Sequence, residues 1–228
     1  MRRQRVGSSL VEDVHAQLRE EILLGTLEPG ERLLVNPLSQ RFKVSLSVIR
    51  EALTRLAEQG LAKSTPQVGF TVTPLSEDAL LDLTWVRIEV ENMMIRRAVV
   101  EGDLAWESAV VASHHALAGT PARTSAGAVN PAWRVLHSQF HAAVASGCAS
   151  PLMHRIRGEL YDRAELYRAL AVRVDTGRDA AAEHRRICEA VLDRDGELAT
   201  ELMTAHIQLT TDLVLRYLAD TRVEPVTA

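Results

Sequence analysis

The sequence carries only two cysteines, Cys148 and Cys188, without paired spacing. That argues against a disulfide framework or a zinc ribbon and leaves buried free thiols as the expectation. Long apolar runs are missing too. Stretches such as Ala109-Val110-Val111-Ala112 are far too short to span a bilayer, and Met1-Arg2-Arg3-Gln4-Arg5-Val6-Gly7 has no apolar core of a secretion signal behind it. No membrane partner and a cytoplasmic location are therefore expected. Internal repeats and low-complexity tracts are absent as well, and no disorder is needed beyond the ends. What is present, 228 residues with 46% hydrophobic and 25% charged content, describes one or two well-cored domains.

The chain also lacks an overall positive charge, its formal net charge being −4. Divided near Leu75 it looks different: residues 1–75 hold ten Lys/Arg against eight Asp/Glu, and the remainder sixteen against twenty-two. Arg2, Arg3 and Arg5 are expected to form a mobile arm, with Lys43, Arg50, Arg55 and Lys63 gathered nearby. The sign suits salt-sensitive contact with phosphates.

Local patterns say what the basic part does. Leu10, Val14, Leu18 and Ile22 step by four along a first helix ending at Leu24-Gly25, and Leu27-Glu28-Pro29-Gly30 reads as a turn. Leu38 and Phe42 share one face of a second helix. After Lys43-Val44, Ser45 stands at an N-cap position, and Ile49, Ala52, Leu53 and Leu56 recur at helical spacing behind it. Phe70 and Val72 then alternate with Thr71 and Thr73 in a hairpin closed by Pro66-Gln67-Val68-Gly69. Taken alone, residues 45–58 form an ordinary amphipathic helix; the order helix, helix, wing makes the unit a winged helix-turn-helix. Side chains near the N-terminus of the reading helix reach base edges in the major groove. Arg50 is the best reader, because a guanidinium pairs bidentately with guanine. Asn36, Ser45, Ser47 and Arg55 are the companion candidates for DNA contact, with Gln67 and Gly69 at the wing.

Beyond Pro74-Leu75-Ser76 the chain is rich in Ala, Leu, Arg and Glu, and helices are expected near 77–101, 104–118, 130–146, 151–172, 178–194 and 197–218, with 119–129 as the one long loop. The fold class is thus mainly α. A winged helix-turn-helix at 1–75 precedes an all-α bundle at 76–221 and a tail at 222–228. Seven of the eight histidines lie in the bundle. His137 and His141 are one turn apart and share a face, while His184 and His206 each lie eleven residues from Asp195, so an antiparallel hairpin sets them level. Singly, each is more often a surface or hydrogen-bonded core residue. Jointly they point to a divalent transition metal, which the side chains alone do not name. His114, His115 and His154 fit no such geometry and read as surface or structural. Arg87 and Glu91 form an i,i+4 pair. It reads more readily as a surface ion pair worth tenths of a kcal/mol than as an inward guanidinium receiving a carboxylate.

Over nearly the whole chain the motifs resemble those of the GntR family. Residues 10–75 resemble its winged helix through Leu27-Glu28-Pro29-Gly30, Leu38-Ser39, Val44-Ser45, Arg50-Glu51-Ala52-Leu53, Leu56, Glu58-Gln59-Gly60-Leu61 and Gly69. Residues 77–218 resemble the FadR-subfamily (FCD) effector domain through Arg87 to Glu91, Phe140-His141, Glu183-His184, Ala190, Asp193-Arg194-Asp195 and Met203 to His206. The resemblance implies a homodimeric regulator, foremost a repressor, whose helical domain binds a small carboxylate effector beside a metal and thereby alters affinity for a double-stranded DNA operator. It places His141, His184 and His206 on the family's three histidine ligands and raises Arg87 to an effector-binding candidate.

Departures from the pattern carry meaning. The family's usual Asp ligand is replaced by His137, and four neutral imidazoles leave an ion's charge uncompensated. That favours an anionic ligand and makes zinc or nickel preferable to manganese. Leu46 and Val48 stand where a basic residue and proline are usual, and Asn36-Pro37 replaces charged residues, so operator sequence does not transfer. Two further readings of the same four-histidine site remain open, a metal-responsive regulator and a metal-dependent enzyme. The second lacks a His-Glu-x-x-His helix to supply a general base.

Overall fold

The computed structural model describes residues 4–125, 127, 129–171 and 177–222. The chain divides into two compact units, Met1–Ser76 and Glu77–Ala228.

The first unit opens with α1 (Gln4–Leu23), followed by β1 (Arg32–Leu33), α2 (Val35–Phe42), α3 (Leu46–Glu58), β2 (Ala62–Thr65) and β3 (Gly69–Val72). Val11, Val14, Leu18 and Ile22 face inward on α1, while Leu10 is 38% exposed. The expected stripe began one residue early, because a strict step of four drifts about 40° per repeat against 3.6 residues per turn. Arg5 belongs to α1 rather than to a mobile arm; Arg2 and Arg3 lie outside the described residues.

α2 stops at Lys43, which takes a left-handed conformation with φ 55°. Ser45 then caps α3 by accepting from the Val48 N–H at 3.5 Å. The inner face of α3 packs on α1 through Ile49, Leu53 and Leu56, all fully buried. In the hairpin, β2 pairs antiparallel with β3 from Ala62↔Val72 to Thr65↔Gly69. The turn between them needs positive φ at Gln67 and Gly69. Val72 is buried, but Phe70, nearer the tip, is only partly so. β1 adds a third strand on the far side of β3, through Arg32↔Thr71 and Leu33↔Phe70. Two residues are too few for any period to announce, which is why the sequence reading lacks this strand.

The second unit consists of α4 (Glu77–Glu101), α5 (Leu104–Ala118), α6 (Pro131–Ala145), α7 (Pro151–Ala171), α8 (Ala180–Leu192) and α9 (Gly196–Arg222). Their ends fall within a residue or two of the expected ones, except that α9 runs on to Arg222. Of the tail expected at 222–228, Arg222 belongs to α9 and the rest lies outside the described residues. Caps explain the starts: Asp103 accepts from Trp106 N, Asn130 from Ala132 N ahead of Pro131, and Asp179 from Ala182 N. Between α8 and α9, Arg194 turns the chain with φ 61°, and the Asp195 carboxylate receives the Leu198 N–H at 2.9 Å. That tight turn makes α8 and α9 an antiparallel hairpin. α4 packs along α9, α7 and α6, and α5 lies against α6 and α8. Gly147 permits close approach to α4, since an added Cβ would stand 2.8 Å from the Ala98 carbonyl oxygen. The aliphatic core, with Ile95, Phe140, Ile187 and Met203 fully buried, surrounds one polar centre. Among the described residues no helix is long and apolar enough to cross a membrane.

Leu53 fixes the reading helix to α1, so Leu53→Ala should cost about 2–5 kcal/mol through the lost transfer energy and the cavity left behind. Urea unfolding followed at the N-terminal unit checks this; a change below about 0.5 kcal/mol, usual for exposed sites, would show that the inner face of α3 does not anchor it.

Candidate metal centre and DNA-reading surface

Helix geometry brings the four expected histidines together. α6 contributes His137 and His141 from successive turns, α8 contributes His184 and α9 His206. Their ring centroids lie 4.4 Å apart for His137–His141, 4.8 Å for His184–His206 and 5.1 Å for His141–His206. One ring nitrogen from each lies within 4.8 Å of the other three, and all four residues are buried. His114, His115 and His154 stay outside this group. His115 is exposed, and His154 bonds the Cys148 carbonyl at 2.7 Å.

Hydrogen bonds around the rings determine which nitrogens face the centre. His206 Nδ1 lies 2.7 Å from Glu183 Oε2, and Glu183 is gripped by Arg178 through two contacts of 2.7 and 2.6 Å. A carboxylate at that distance accepts a hydrogen bond from Nδ1–H, which leaves His206 Nε2 as a free lone pair. His137 Nδ1 is 3.1 Å from the Tyr161 hydroxyl, and His137 Nε2 lies 3.1 Å from His141 Nε2. Two further nitrogens, His141 Nδ1 and His184 Nε2, are buried without a hydrogen-bond partner among the described residues. Such an orphan costs roughly 1–3 kcal/mol unless something satisfies it. Four convergent imidazoles, two with unsatisfied nitrogens, fit a divalent cation that accepts nitrogen ligands.

Electrostatics act in the same direction. Burial, and then the charge of Arg168, push His137 well below its usual value; burial and the neighbouring rings His206 and His184 do the same to His141. Burial followed by the His206 charge pushes His184 down to about 2. For His206, burial outweighs the raising effect of Glu183. The rings are thus neutral, the form that metal coordination would require. Glu183 resists its own burial, because Arg178 and His206 hold its carboxyl down at about 2.

Beside this centre lies a cavity of about 170 Å³ whose wall includes His137, His184, His206 and Trp133, together with Arg123, Arg168 and Arg178. Among the described residues no carboxylate lines it. Trp133 connects wall and centre, stacking near His137 at 4.7 Å and lying 5.4 Å beneath the Arg168 guanidinium. Burial works against the charge of Arg168, but Glu165 at 2.6 Å keeps it a cation. Arg168, Arg178, Trp133 and Tyr161 were missed by the sequence reading. Charged residues on a helix read by default as a solvated face, and no spacing marked these as inward.

The Arg87–Glu91 pair corrects the expectation of a surface contact, since both residues are buried, 7% and 1% exposed. Their closest N–O separation is 3.9 Å, and Glu91 is bonded instead by Arg157 Nε at 2.9 Å. Arg87 faces Tyr161 and borders a separate space of about 20 Å³ with Thr84 and Thr211, outside the arginine-lined cavity.

In the N-terminal unit Asn36, Ser45, Ser47, Arg50, Gln67 and Gly69 are exposed. Arg50 shares a groove of about 480 Å³ with Ser64, Thr65, Gln67 and Gly69, so the helix and the wing form one surface there. Asn36, Ser45 and Ser47 do not line that groove. Ser45 and Ser47 hydroxyls are 2.8 Å apart, and Arg55 is drawn back along α3 by Glu51 at 2.7 Å.

A winged reading head and a separate helical unit built around clustered histidines define a DNA-binding protein with a second, all-helical domain. The chain belongs to the GntR family of bacterial regulatory proteins: residues 10–72 match that family's DNA-binding region and residues 82–209 match the FCD domain. It is similar to the HTH-type transcriptional regulator BphR of Paraburkholderia xenovorans strain LB400, 36% identical over 92% of this chain and 86% of the relative. It is also similar to the HTH-type transcriptional repressor GlaR of Escherichia coli K12, 32% identical over 86% and 91% respectively. Among solved structures, E. coli McbR/YncC superposes with a TM-score of 0.74 at 18% identity, covering 92% of this chain and 98% of its own. A GntR regulator from Rhodococcus sp. RHA1 gives 0.74 at 22%, over 91% and 98%. The protein is a DNA-binding transcriptional regulator, and the reading as an enzyme is set aside.

The depressed histidines set a pH dependence. Unfolded rings bind protons near 6.5, and the folded helical unit refuses them until far lower pH. Stability is therefore complete above about 6.5 and falls as pH drops below it, with His184 contributing down to about 2. Thermal unfolding of chelator-treated protein should show a clearly lower midpoint at about pH 5 than at about pH 7.5; equal midpoints would mean that the rings are not held neutral.

Proposed function

We propose that this regulator is a homodimeric repressor whose four histidines, His137, His141, His184 and His206, hold a divalent transition metal, zinc or nickel, and whose adjoining cavity takes a small organic acid that changes operator affinity. One observation carries the reading: among the described residues three guanidiniums and three imidazoles line the cavity, with no carboxylate beside them in its wall. Guanidinium N–H groups turned toward such a wall favour an anion of that size. A bound ion would supply a positive centre able to take a carboxylate oxygen. Arg178 and Arg168 are placed to receive the acid, each already fixed by its own glutamate. Arg87 acts from behind, where its charge helps to keep His141 and His206 neutral.

In the reading head Arg50 pairs with guanine, Ser45, Ser47 and Asn36 meet phosphates or base edges, and Gln67 and Gly69 approach the minor groove or backbone. Arg55, tethered to Glu51, contributes charge to the same face. The acid alters operator affinity only insofar as it binds two arrangements of the paired reading heads unequally.

Operator binding of the purified protein, titrated with a panel of small carboxylates with and without chelator, tests this. Release by one acid in the metal-loaded protein supports it; release by metal addition alone makes the protein a metal sensor. His184→Ala should remove bound metal, measured by elemental analysis, and abolish the acid response while leaving operator binding within a few fold; full metal occupancy excludes it as a ligand. Arg50→Ala should weaken operator binding by about 1–3 kcal/mol, roughly five- to 150-fold, with metal content unchanged. Equal affinity removes Arg50 from the base readers.

A further inference from the structure

The arginine-lined cavity has a neighbour. A groove of about 480 Å³ lies between the end of α5, residues 119–122 and the start of α8, and it shares Ala122, Trp133, Ala180 and His184 with the cavity wall, so the two spaces meet. Small side chains keep it open. Ala122 and Ala180 stand at the junction, and Ala118, Gly119 and Ala181, all exposed, line the outer part. Pro121 and an edge of Trp133 add apolar surface between them.

The polar groups of the groove are already engaged within the protein. The Thr120 hydroxyl donates to the Ala116 carbonyl at 3.1 Å, and Asp179 accepts the Ala182 N–H at 2.9 Å as the cap of α8. Arg178 is bound to Glu183 at 2.6 Å and to the Thr210 hydroxyl at 2.8 Å. Burial, and then the charge of Arg185, push the His114 imidazole toward its neutral form, and its ring sits 5.7 Å from Phe140. Charge in the outer part has the wrong sign for an anion: Asp179 is a carboxylate, and α5 ends there with the negative pole of its dipole. The cations gather at the inner end instead, where Arg123, Arg168 and Arg178 border the cavity.

We propose that the acid taken by this regulator is a monocarboxylate with an apolar body, its head in the arginine-lined cavity and its body laid along the groove past Trp133 and Pro121. The proposal rests on the organic-acid reading above and names the class of acid. Volume supports the division. Ligand sites commonly occupy about 300–1,000 Å³, mostly apolar with a few placed polar groups; the cavity of about 170 Å³ alone falls short of that range, and the groove of about 480 Å³ brings the site into it. A compact dicarboxylate or hydroxy acid would leave the groove empty, and a second carboxylate reaching into it would meet Asp179 and the end of α5 rather than an arginine.

Equilibrium titration of the zinc-loaded full chain with acetate, butyrate, hexanoate and 3-phenylpropionate, and with succinate and malate as compact polar acids, tests the proposal; calorimetry reads the tighter acids and ligand magnetic resonance the weaker. Each added methylene should tighten binding about two- to fourfold, the worth of its burial. The acid 3-phenylpropionate should bind at least tenfold more tightly than succinate or malate. Ala118→Trp and Ala181→Trp, which fill the groove from exposed positions on its two walls, should each weaken 3-phenylpropionate at least tenfold and leave acetate binding and zinc content unchanged, a split that a general folding fault does not produce. Affinity that stays flat along the series, or 3-phenylpropionate binding indifferent to both tryptophans, overturns the groove and keeps the organic-acid reading. Binding of none of these acids overturns both.

Discussion

Four buried imidazoles share one centre, and that constraint organises the helical unit. A protonated ring there would be desolvated and repelled by the nearby guanidiniums and by any second protonated ring, so all four are neutral and present lone pairs. Neutral rings alone would leave several nitrogens unsatisfied. The surroundings therefore orient them: Tyr161 holds His137, and Glu183, itself locked by Arg178, holds His206. An apolar shell of Phe140, Ile187 and Met203 packs around the centre and transmits any misplacement of a ring to the packing of three helices.

The distribution of charge follows from the same constraint. The helical half of the chain is acidic overall, yet its interior is basic: Arg87, Arg157 and Arg168 are buried, and Arg123, Arg168 and Arg178 border the cavity. Glutamates 91, 165 and 183 hold Arg157, Arg168 and Arg178 in place without entering the cavity wall. Net charge thus says little about the site. An acidic outer surface and a cationic pocket coexist because each buried carboxylate is spent on positioning a guanidinium rather than on neutralising the cavity.

Much of the architecture was legible because it repeats. Ile49, Leu53 and Leu56 recur at helical spacing, and Ser45 announces its helix with a hydroxyl. In the bundle, Asp195 marked the hairpin that sets His184 level with His206. Legibility failed where the signal was short or shared. Leu10 reads as part of the inner stripe because a step of four imitates a helix until the drift accumulates, and β1 is invisible at two residues. Arg87 and Glu91 read as a surface pair, although helices α4 and α7 enclose them. Arg168 and Arg178 were passed over altogether, since a charged side chain carries no mark of the direction in which it points.

The amino-acid sequence by itself determined which segments become helices, where they begin, and that four histidines stand at positions able to meet, because hydrophobic period, capping chemistry and turn residues act over a few neighbours. Only the tertiary structure decided which ring nitrogens face the centre and which arginines line the cavity. Those outcomes depend on side chains brought together from α4, α6, α7, α8 and α9, and burial, unlike periodicity, is a property of the assembled elements.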